Sequence, residues 1–399
     1  MSQQRRALLT GAGALCALGV GVDAFWEGLV SGRSGLAPIE GFDASDYQHP
    51  AAGEVRAIVS TDRRPDAASA FALAAAREAL EDAGLDLAHT DRTRVAVVLA
   101  TTLGEMAIGE AYQLARHRGE SFPARRLLHF PYHALSSRLA RALDVRGPVV
   151  SPSIACASGT HAVGLALEMI RAGQADVVVA GGAEALSPFV VVGFDCLRAT
   201  ASKTVKPFDA DRDGLLLGEG AAVVVVESHE HARARGRSAA VEIAGAGLAG
   251  DAQHITAPAR DGSGAARAMR FALADADVAP ASVDFISAHG TGTVYNDAME
   301  VAAITAVFGA AARKIPVNSI KGAIGHTLGA AGTFESIMAA RVITESVIPP
   351  TTGCERIDPL CTLDVVRGEP RRCNVDTVVS TSSAFAGNNA ALVLRRYTR

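Results

Sequence analysis

The feature that most constrains the fold is a pattern that occurs twice in the 399-residue chain. Residues 78–102 and residues 271–291 each contain a helix end, an Asp-containing turn, a buried strand and a loop of small residues. Such self-similarity indicates a duplicated structural unit. The pattern predicts two similar halves joined near residues 240–255. If the halves pack about a pseudo-twofold axis, equivalent loops meet and a site draws residues from both.

Short runs of β-branched residues alternate with helical stretches, which is typical of an α/β fold. The predicted strands are 7–18, 94–100, 148–154, 176–180, 221–227, 283–288, 315–319, 377–380 and 391–395. The predicted helices are 67–83, 159–172, 264–276, 297–308 and 329–346. We expect an N-terminal half over residues 1–245 and a C-terminal half over residues 246–399.

Composition narrows the class of protein. The net charge of −4 gives no basic surface for nucleic acid. The six cysteines show neither a CxxC pair nor zinc-ligand spacing, so we expect no metal and a reducing, cytoplasmic setting. No run of 18 apolar residues occurs, so we expect no membrane span. Glycines interrupt the apolar N-terminus, which favours a strand and turn over a signal peptide.

The stretch SPSIACASGTHA (151–162) places Cys156 between a predicted strand and a predicted helix. The free N–H groups and the dipole of a helix N-terminus lower a thiol pKa, so this position predicts a thiolate nucleophile. Free cysteines are more often small buried core residues. The two interpretations stay open on local sequence alone.

Three further loops follow predicted strands. His289 lies in SAHGTGT (287–293), Lys321 and His326 lie in VNSIKGAIGHTLGAAG (317–332), and Phe385 lies in SAFAGNNA (383–390). Each has an ordinary interpretation: a turn-capping histidine, a solvated lysine, a simple turn. For Lys321 we expect partial burial, with Glu335 as a candidate acidic partner. Together, a thiolate and two imidazoles suit acyl-thioester chemistry without a metal.

Six motifs together identify a resemblance. They are ACASGTHA around Cys156, VVVAGGAEA (177–185), KPFDADRDGLLLGEGAAV (206–223), HITAPARDGSGAA (254–266), AHGTGT (288–293) and IKGAIGHTLGAAG (320–332). In order and spacing the chain resembles the β-ketoacyl-[acyl-carrier-protein] synthases of the thiolase-like condensing enzymes. The resemblance implies a five-layered αβαβα fold of two duplicated halves. It also implies a decarboxylative Claisen condensation of a malonyl-carrier protein with a Cys-bound acyl chain.

The resemblance also implies roles for individual residues. Cys156, His289 and His326 would form the catalytic triad, Lys321 would hold the His326 network, and the N–H groups of Cys156 and Phe385 would form an oxyanion hole. Phe385 would also gate the pocket. Phosphopantetheine contacts would come from Thr256, Thr291 and Thr293. Contacts to an acidic acyl carrier protein would come from Arg125, Arg126 and Lys206, with Arg63 and Arg64 as further candidates. No cofactor is implied beyond the phosphopantetheine of the carrier.

Four positions depart from the family pattern. Ala384 and Ala386 replace the glycines that flank the gating phenylalanine, Val294 replaces a proline, and Glu105 stands where the pocket wall would be small and apolar. These changes predict a specialised pathway that makes polyene or other unsaturated chains. The family implies a homodimer. Alternatives are the catalytic half of a heterodimer with a chain-length factor, or a thiolase, which would need a second active-site cysteine among Cys354, Cys361 and Cys373.

Overall fold

A computed structural model describes residues 4–58 and 66–398 of the chain. Arg63 and Arg64 therefore lie outside the described residues. The α-helices in this part of the chain are α1 (Val22–Val30), α2 (Ala67–Ala83), α3 (Met106–Arg118), α4 (Tyr132–Ala142), α5 (Ser158–Arg171), α6 (Pro188–Cys196), α7 (His229–Ala234), α8 (Ser263–Asp275), α9 (Val294–Phe308), α10 (Lys321–Ile324) and α11 (Ala331–Glu345).

The strands in the same part of the chain are β1 (Ala7–Cys16), β2 (Gly19–Val20), β3 (Ala37–Pro38), β4 (Ala51–Ala52), β5 (Val95–Ala100), β6 (Val149–Val150), β7 (Val177–Glu184), β8 (Gly220–Ser228), β9 (Val241–Gly250), β10 (Phe285–Ser287), β11 (Pro316–Asn318), β12 (Val347–Ile348), β13 (Asp364–Val365), β14 (Arg371–Arg372), β15 (Thr377–Ser383) and β16 (Asn388–Arg396).

The strand order repeats between the two halves of the chain. The N-terminal half has the order β6-β5-β7-β8-β1, and the C-terminal half has the order β11-β10-β15-β16-β9 with β13 added beside β11. Among the five strands that the halves share, the second is parallel to both of its neighbours and the remaining pairs are antiparallel. The added strand β13 is parallel to β11. A short antiparallel pairing of β1 with β9 joins the halves. Matching order and direction confirm the predicted duplication.

Helices complete the layers. Helices α5 and α11 contact each other and strands of both halves, so they form the middle layer. Ten of the fourteen residues of α5 and twelve of the fifteen residues of α11 are buried, as a layer between two sheets requires. Helix α2 covers the outer face of β1 and β8, and α8 covers the outer face of β9 and β16. The chain has the expected five-layered αβαβα architecture.

Equivalent glycines let each outer helix approach its strand. A Cβ atom at Gly11 or Gly13 of β1 would lie 2.2 or 2.0 Å from a carbonyl oxygen of α2. A Cβ atom at Gly245 or Gly247 of β9 would lie 2.4 or 2.2 Å from a carbonyl oxygen of α8. Only glycine allows backbones this close. The first strand of each half therefore carries the same packing device.

The structure corrects the secondary structure predicted near the join. Residues 240–255, predicted as a connection, contain the ten-residue strand β9. Its sequence VEIAGAGLAG is poor in β-branched residues, so the strand signal is weak. Conversely, the strand predicted over 148–154 is only two residues long. The predicted boundary between residues 245 and 246 lies within β9 and stays a prediction. Within residues 4–58 and 66–398, none of the helices has the length and apolar character needed to cross a membrane.

Candidate active site

Loops from both halves converge on a cavity of about 290 Å³. Seven of the predicted site residues line it: Cys156, Thr256, His289, Thr291, Thr293, His326 and Phe385. The cysteine belongs to the N-terminal half and the other six to the C-terminal half. The cavity therefore lies where a duplicated fold brings equivalent loops together. Thr291 and Thr293 also contact each other, with 3.0 Å between their hydroxyl oxygens.

Cys156 lies in a tight turn between β6 and α5. Ala155 before it adopts a left-handed conformation (φ 53°), and the Ser158 hydroxyl accepts a hydrogen bond from the Ile154 N–H at 2.8 Å. The turn brings the thiol to the cavity, although the residue is only 6% exposed. Hydrogen bonds from the backbone N–H groups of Cys156 and Phe385 act on the sulfur and lower its pKa. These are the two N–H groups predicted for the oxyanion hole, whose role stays a prediction.

The charge state of the thiol differs from the sequence prediction. Burial raises the pKa of Cys156 to about 12, and this effect exceeds the lowering by the Lys321 charge and the backbone N–H groups. A helix N-terminus does lower a thiol pKa, but desolvation dominates when the sulfur is enclosed by apolar side chains. The prediction of a resting thiolate is wrong. The thiol is neutral at rest, so nucleophilic attack by its sulfur would require loss of the proton.

His289 and His326 face each other. Their ring centroids are 5.2 Å apart and the ring planes make an angle of 82°. Burial first, and the nearby Lys321 charge second, hold the pKa of each imidazole well below its usual value. Both rings are therefore neutral at physiological pH, and each has one N–H donor and one lone pair. Among the described residues, Nδ1 of each ring is buried and has no hydrogen-bond partner.

Lys321 is buried behind the two rings. Its Nζ donates hydrogen bonds to the His289 carbonyl oxygen and to Oε1 of Glu335, the latter at 2.6 Å. Oε2 of Glu335 accepts from the Ser382 hydroxyl at 3.3 Å, and that hydroxyl lies 2.7 Å from the Thr160 hydroxyl on α5. The predicted pairing of Lys321 with Glu335 is present. The network reaches from the His289 segment to the helix that follows Cys156.

Two acidic residues that the sequence analysis missed hold the AHGTGT loop. The two oxygens of Glu300 accept hydrogen bonds from the N–H groups of His289 (2.7 Å) and Gly290 (2.6 Å). Asp297 accepts from the Gly292 N–H at 3.2 Å. Burial raises the pKa of Glu300 to about 7. Two acids one helical turn apart, directly after a histidine-containing loop, were a usable sequence signal.

The loop after β15 brings an aromatic pair to the cavity. The ring of Phe385 stacks on Phe194 of α6, with 5.8 Å between centroids and 21° between planes. Ala386 has a left-handed backbone conformation (φ 61°, ψ 14°), which is strained for a residue with a Cβ atom. Its N–H donates to the Ile255 carbonyl oxygen at 2.7 Å. Phe194 was not among the residues predicted from the sequence.

The basic residues predicted for carrier contacts are dispersed. Lys206 is half-buried, and its backbone packs against Gly292 of the AHGTGT loop. Arg125 is exposed and Arg126 lies over the Phe122 ring, in a short 3-10 segment that does not line the cavity. The exposed Arg198, which the sequence analysis missed, does line the cavity.

Other candidate residues lie outside the cavity. Glu105 does not line the cavity, so the predicted polar pocket wall at this position is wrong; its carboxylate accepts hydrogen bonds from the N–H and hydroxyl of Ser69. None of Cys354, Cys361 and Cys373 lines the cavity, which leaves the thiolase alternative without its second thiol.

Comparison with known families gives two matches. Residues 4–232 match "Beta-ketoacyl synthase, N-terminal domain", and residues 240–355 match "Beta-ketoacyl synthase, C-terminal domain". The chain is 39% identical to 3-oxoacyl-[acyl-carrier-protein] synthase 2 of Coxiella burnetii over 99% of each chain. It is 37% identical to the protein of the same name from Staphylococcus aureus over 100% of each chain.

Two solved structures extend the comparison. The ishigamide ketosynthase/chain length factor is 38% identical with a TM-score of 0.93, over 99% of this chain and 100% of that one. A type II PKS acyl-carrier protein in complex with its ketosynthase bound to the hexaketide has a matching chain at 33% identity and a TM-score of 0.93, over the same shares.

Proposed function

Because the chain belongs to the β-ketoacyl synthase family of condensing acyltransferases, we propose that Cys156, His289 and His326 perform its condensation. The reaction is a decarboxylative Claisen condensation that lengthens a carrier-bound acyl chain by two carbons. The supporting observation is the cavity that holds a neutral thiol from one half and two neutral imidazoles from the other.

The first step is transfer of the acyl group to Cys156. The thiol gives its proton to a neutral imidazole lining the cavity, and the sulfur attacks the acyl thioester carbonyl. A new carbon–sulfur bond forms, the bond to the phosphopantetheine sulfur breaks, and the departing thiolate takes the proton back. The N–H groups of Cys156 and Phe385, which act on the sulfur in the resting state, stabilise the tetrahedral oxyanion.

The second step is decarboxylation of the malonyl thioester. His289 and His326 donate hydrogen bonds to its carbonyl oxygen. As the carbon–carbon bond to the carboxylate breaks, carbon dioxide leaves and the electron pair forms an enolate. Neutral donors suit this step because their hydrogen bonds strengthen as negative charge develops on the oxygen. The buried Lys321 ammonium supplies positive charge nearby and positions His289 through its carbonyl oxygen.

The third step joins the two carbon chains. The enolate carbon attacks the acyl-Cys156 carbonyl, the oxyanion again rests on the two N–H groups, and the carbon–sulfur bond breaks. The 3-oxoacyl product stays on the phosphopantetheine of the second carrier. The thiolate of Cys156 takes up one proton from solvent and so returns to the neutral resting form. Every atom is accounted for by the two thioesters, carbon dioxide and the proton.

An acyl carrier protein is the proposed partner of the cavity mouth. The relatives are named as synthases of carrier-bound substrates, and one similar structure is described as a complex with its carrier protein. Thr256, Thr291 and Thr293 line the cavity and would bind the phosphopantetheine arm. Arg198 would meet its phosphate, and Lys206, Arg125 and Arg126 would steer the acidic carrier. The unpaired cysteines support a reducing, cytoplasmic setting.

We propose that a second ketosynthase-like subunit binds at the β6 edge of the sheet, and that this subunit is a second copy of this chain. Strand β6 ends the sheet and exposes 41% of Val149. Nearby segments expose large apolar side chains, which monomers rarely group together. These are Leu128 (75%), Tyr132 (44%), Phe189 (61%) and Val192 (41%). Native mass spectrometry of the purified chain tests this: a monomer would exclude a homodimer and favour a chain-length-factor partner.

The heterodimer is the second candidate because two similar structures are described as ketosynthases with a chain length factor. Coexpression with neighbouring genes and copurification distinguish the two assemblies. For the acyl chain we propose an unsaturated or polyene substrate, which rests on the two alanines beside Phe385.

The deciding experiment is mass spectrometry of carrier-bound products. The chain is incubated with malonyl-carrier protein and a panel of acyl-carrier proteins of different length and unsaturation. We expect products two carbons longer that carry a 3-oxo group, and we expect none with Cys156→Ala. Elongation that persists in this variant would disprove the assignment of the nucleophile.

A further inference from the structure

Glu184 is a buried carboxyl that the proposed mechanism does not use. It is the last residue of β7, within the motif VVVAGGAEA, and none of it is exposed. It does not line the cavity. A carboxyl group placed fully inside an apolar strand end is unfavourable unless its oxygens are hydrogen-bonded, so its partners indicate what it does.

The partners of Glu184 come from both halves of the chain. Oε1 accepts hydrogen bonds from the N–H groups of Thr102 and of Gly329, the latter at 3.1 Å. Oε2 accepts from the Thr101 hydroxyl at 3.1 Å and from the Leu103 N–H at 3.2 Å. One oxygen thus joins the loop after β5 to a residue three positions beyond His326.

Packing around Gly329 leaves no freedom at this junction. A Cβ atom on Gly329 would lie 2.5 Å from Oε1 of Glu184. A Cβ atom on Gly159, three residues after Cys156, would lie 2.8 Å from the Gly329 carbonyl oxygen. The His326 segment is therefore held between the carboxylate on one side and the Cys156 helix on the other. A displacement of Gly329 would change the spacing of thiol and imidazole.

The charge of Glu184 also acts on the nucleophile. Its negative charge raises the pKa of Cys156, whereas the positive charge of Lys321 lowers it. Burial raises the pKa of Glu184 itself to about 7, against the effect of its four hydrogen bonds. The carboxylate is therefore present above neutral pH and absent below it.

We propose that Glu184 is a positioning residue: its carboxylate fixes the His326 segment against the Cys156 helix, and its negative charge opposes Lys321 at the Cys156 sulfur. This rests on the proposed role of Cys156 as nucleophile. The hydrogen bonds of Glu184 keep the site ordered, whereas its negative charge lowers the reactivity of the Cys156 thiol.

The other charged and titratable groups around the site do not reproduce this effect. Lys321 pairs with Glu335. His289 and His326 are neutral imidazoles because burial and the Lys321 charge hold their pKa values well below the usual range. Before β8, Glu219 accepts hydrogen bonds from the N–H groups of Val55 and Leu186. From α9, Glu300 has a pKa near 7 as well, but it does not contribute among the principal effects on the Cys156 sulfur.

The test is the rate of Cys156 alkylation by iodoacetamide between pH 5.5 and 9, in the full chain and in Glu184→Gln. Mass spectrometry of the peptide containing Cys156 separates its reaction from that of the other cysteines. The amide keeps an acceptor oxygen for Thr102 and Gly329 and removes the charge. We expect the ratio of variant to unmodified rate to be near one at pH 5.5 and to rise to roughly threefold to tenfold above pH 8.

Controls separate charge from structure. Glu105→Gln replaces another buried carboxyl, whose partner is Ser69, and we expect its ratio to stay near one at every pH. If Glu184→Gln does not fold, Thr101→Val removes one hydrogen bond to the carboxylate. That raises the pKa of Glu184, so alkylation should accelerate in the same direction, with a smaller increase centred near pH 7 to 8.

A ratio of alkylation rates that does not change with pH would overturn the charge effect.

The positioning effect is tested by the elongation kinetics of Glu184→Gln and Glu184→Ala. We expect kcat to fall more than tenfold in the alanine variant, with KM for the carrier substrates within about twofold. An unchanged kcat in a folded alanine variant would overturn it. Alkylation needs no acyl substrate, so its outcome is independent of whether the proposed condensation occurs.

Discussion

The two halves of the molecule share a framework but differ in the loops that reach the cavity. Both have the same order of five strands, and both use glycines in the first strand to admit an outer helix. The loop after β6 carries the thiol of Cys156, whereas the equivalent loop after β11 carries Lys321 and His326. The loop after β5 begins with Thr101 and Thr102, whereas that after β10 contains His289.

The comparison indicates how a duplicated fold produces an asymmetric site. The shared framework fixes where the loops meet. In the proposed mechanism, divergence of the loops assigns the nucleophile to one half and hydrogen-bond donation to the other. Buried carboxyls support both loop sets: Glu184 holds the loop after β5, and Glu300 holds the loop after β10.

The strongest test removes the contribution of the N-terminal half. With Cys156→Ala, we expect elongation to fall more than roughly a thousandfold because no acyl intermediate can form. The folded state should be retained, since the substitution only removes a buried sulfur. Carrier-bound 3-oxo products, quantified by mass spectrometry, measure the effect.

Cys354→Ala is the matched control, because Cys354 is equally buried (5% against 6% exposed) but does not line the cavity. Its elongation rate should equal that of the unmodified chain. If both variants lose activity to the same extent, the loss reflects packing and not nucleophilic attack.

The next test removes an imidazole of the C-terminal half. His326→Asn should slow release of carbon dioxide from the malonyl thioester by about a hundredfold to ten-thousandfold, because a donor to the enolate oxygen is misplaced. Acylation of Cys156, followed by the mass of the intact chain, should slow much less if His289 can accept the proton. His161→Asn on α5, outside the cavity, should leave both rates unchanged. An equal loss of rate in acylation and in decarboxylation would contradict the proposed assignment of different roles to the two halves.

Sequence alone predicted the duplication, the layers and four of the loops that line the cavity, because strand alternation and motif order carry this information. It could not predict the charge state of Cys156, since desolvation depends on side chains distant in sequence. Glu184 was missed for the same reason: a carboxyl that accepts hydrogen bonds from backbone N–H groups of distant segments has no local signature. Glu105 was misassigned because its rotation toward Ser69 depends on the neighbouring helix α2.

The third test breaks the buried ion pair of the C-terminal half. Lys321→Met leaves Glu335 buried without its cation, so the free energy of unfolding should fall by about 3–5 kcal/mol in urea titrations. Lys321→Met with Glu335→Gln should restore most of the stability but not elongation. Arg356→Met, at an exposed ion pair with Asp211, should cost less than about 1 kcal/mol. If the double variant is as unstable as Lys321→Met alone, charge compensation of Glu335 does not account for the stabilising role of Lys321.

The fourth test uses pH to examine Glu300, the buried carboxyl that holds the loop after β10. The pKa of Glu300 is raised to about 7 in the folded state, so between pH 4.5 and 7 the folded chain holds a proton that the unfolded chain has lost. The stability that this proton provides is complete below pH 4.5 and is lost as the pH rises through 7. Relative to Glu300→Gln, the unfolding free energy of the unmodified chain should fall by about 3 kcal/mol over this window. A difference independent of pH would show that Glu300 is ionised throughout.

The smallest expected effect concerns the loop after β15. Its N-terminal counterpart directly after β7, residues 185–187, contains no residue with positive φ. Ala386→Gly removes a left-handed alanine, which costs roughly 1 kcal/mol, but glycine also loosens the unfolded chain by a similar amount. We therefore expect thermal unfolding to show a change in stability below about 0.5 kcal/mol. Ala384→Gly is the matched variant: Ala384 has an ordinary extended conformation (φ −135°), so glycine brings only the entropic loss, about 0.5–1 kcal/mol. The difference between the two variants isolates the strain at Ala386, and equal losses would show that this loop is no more strained than its counterpart.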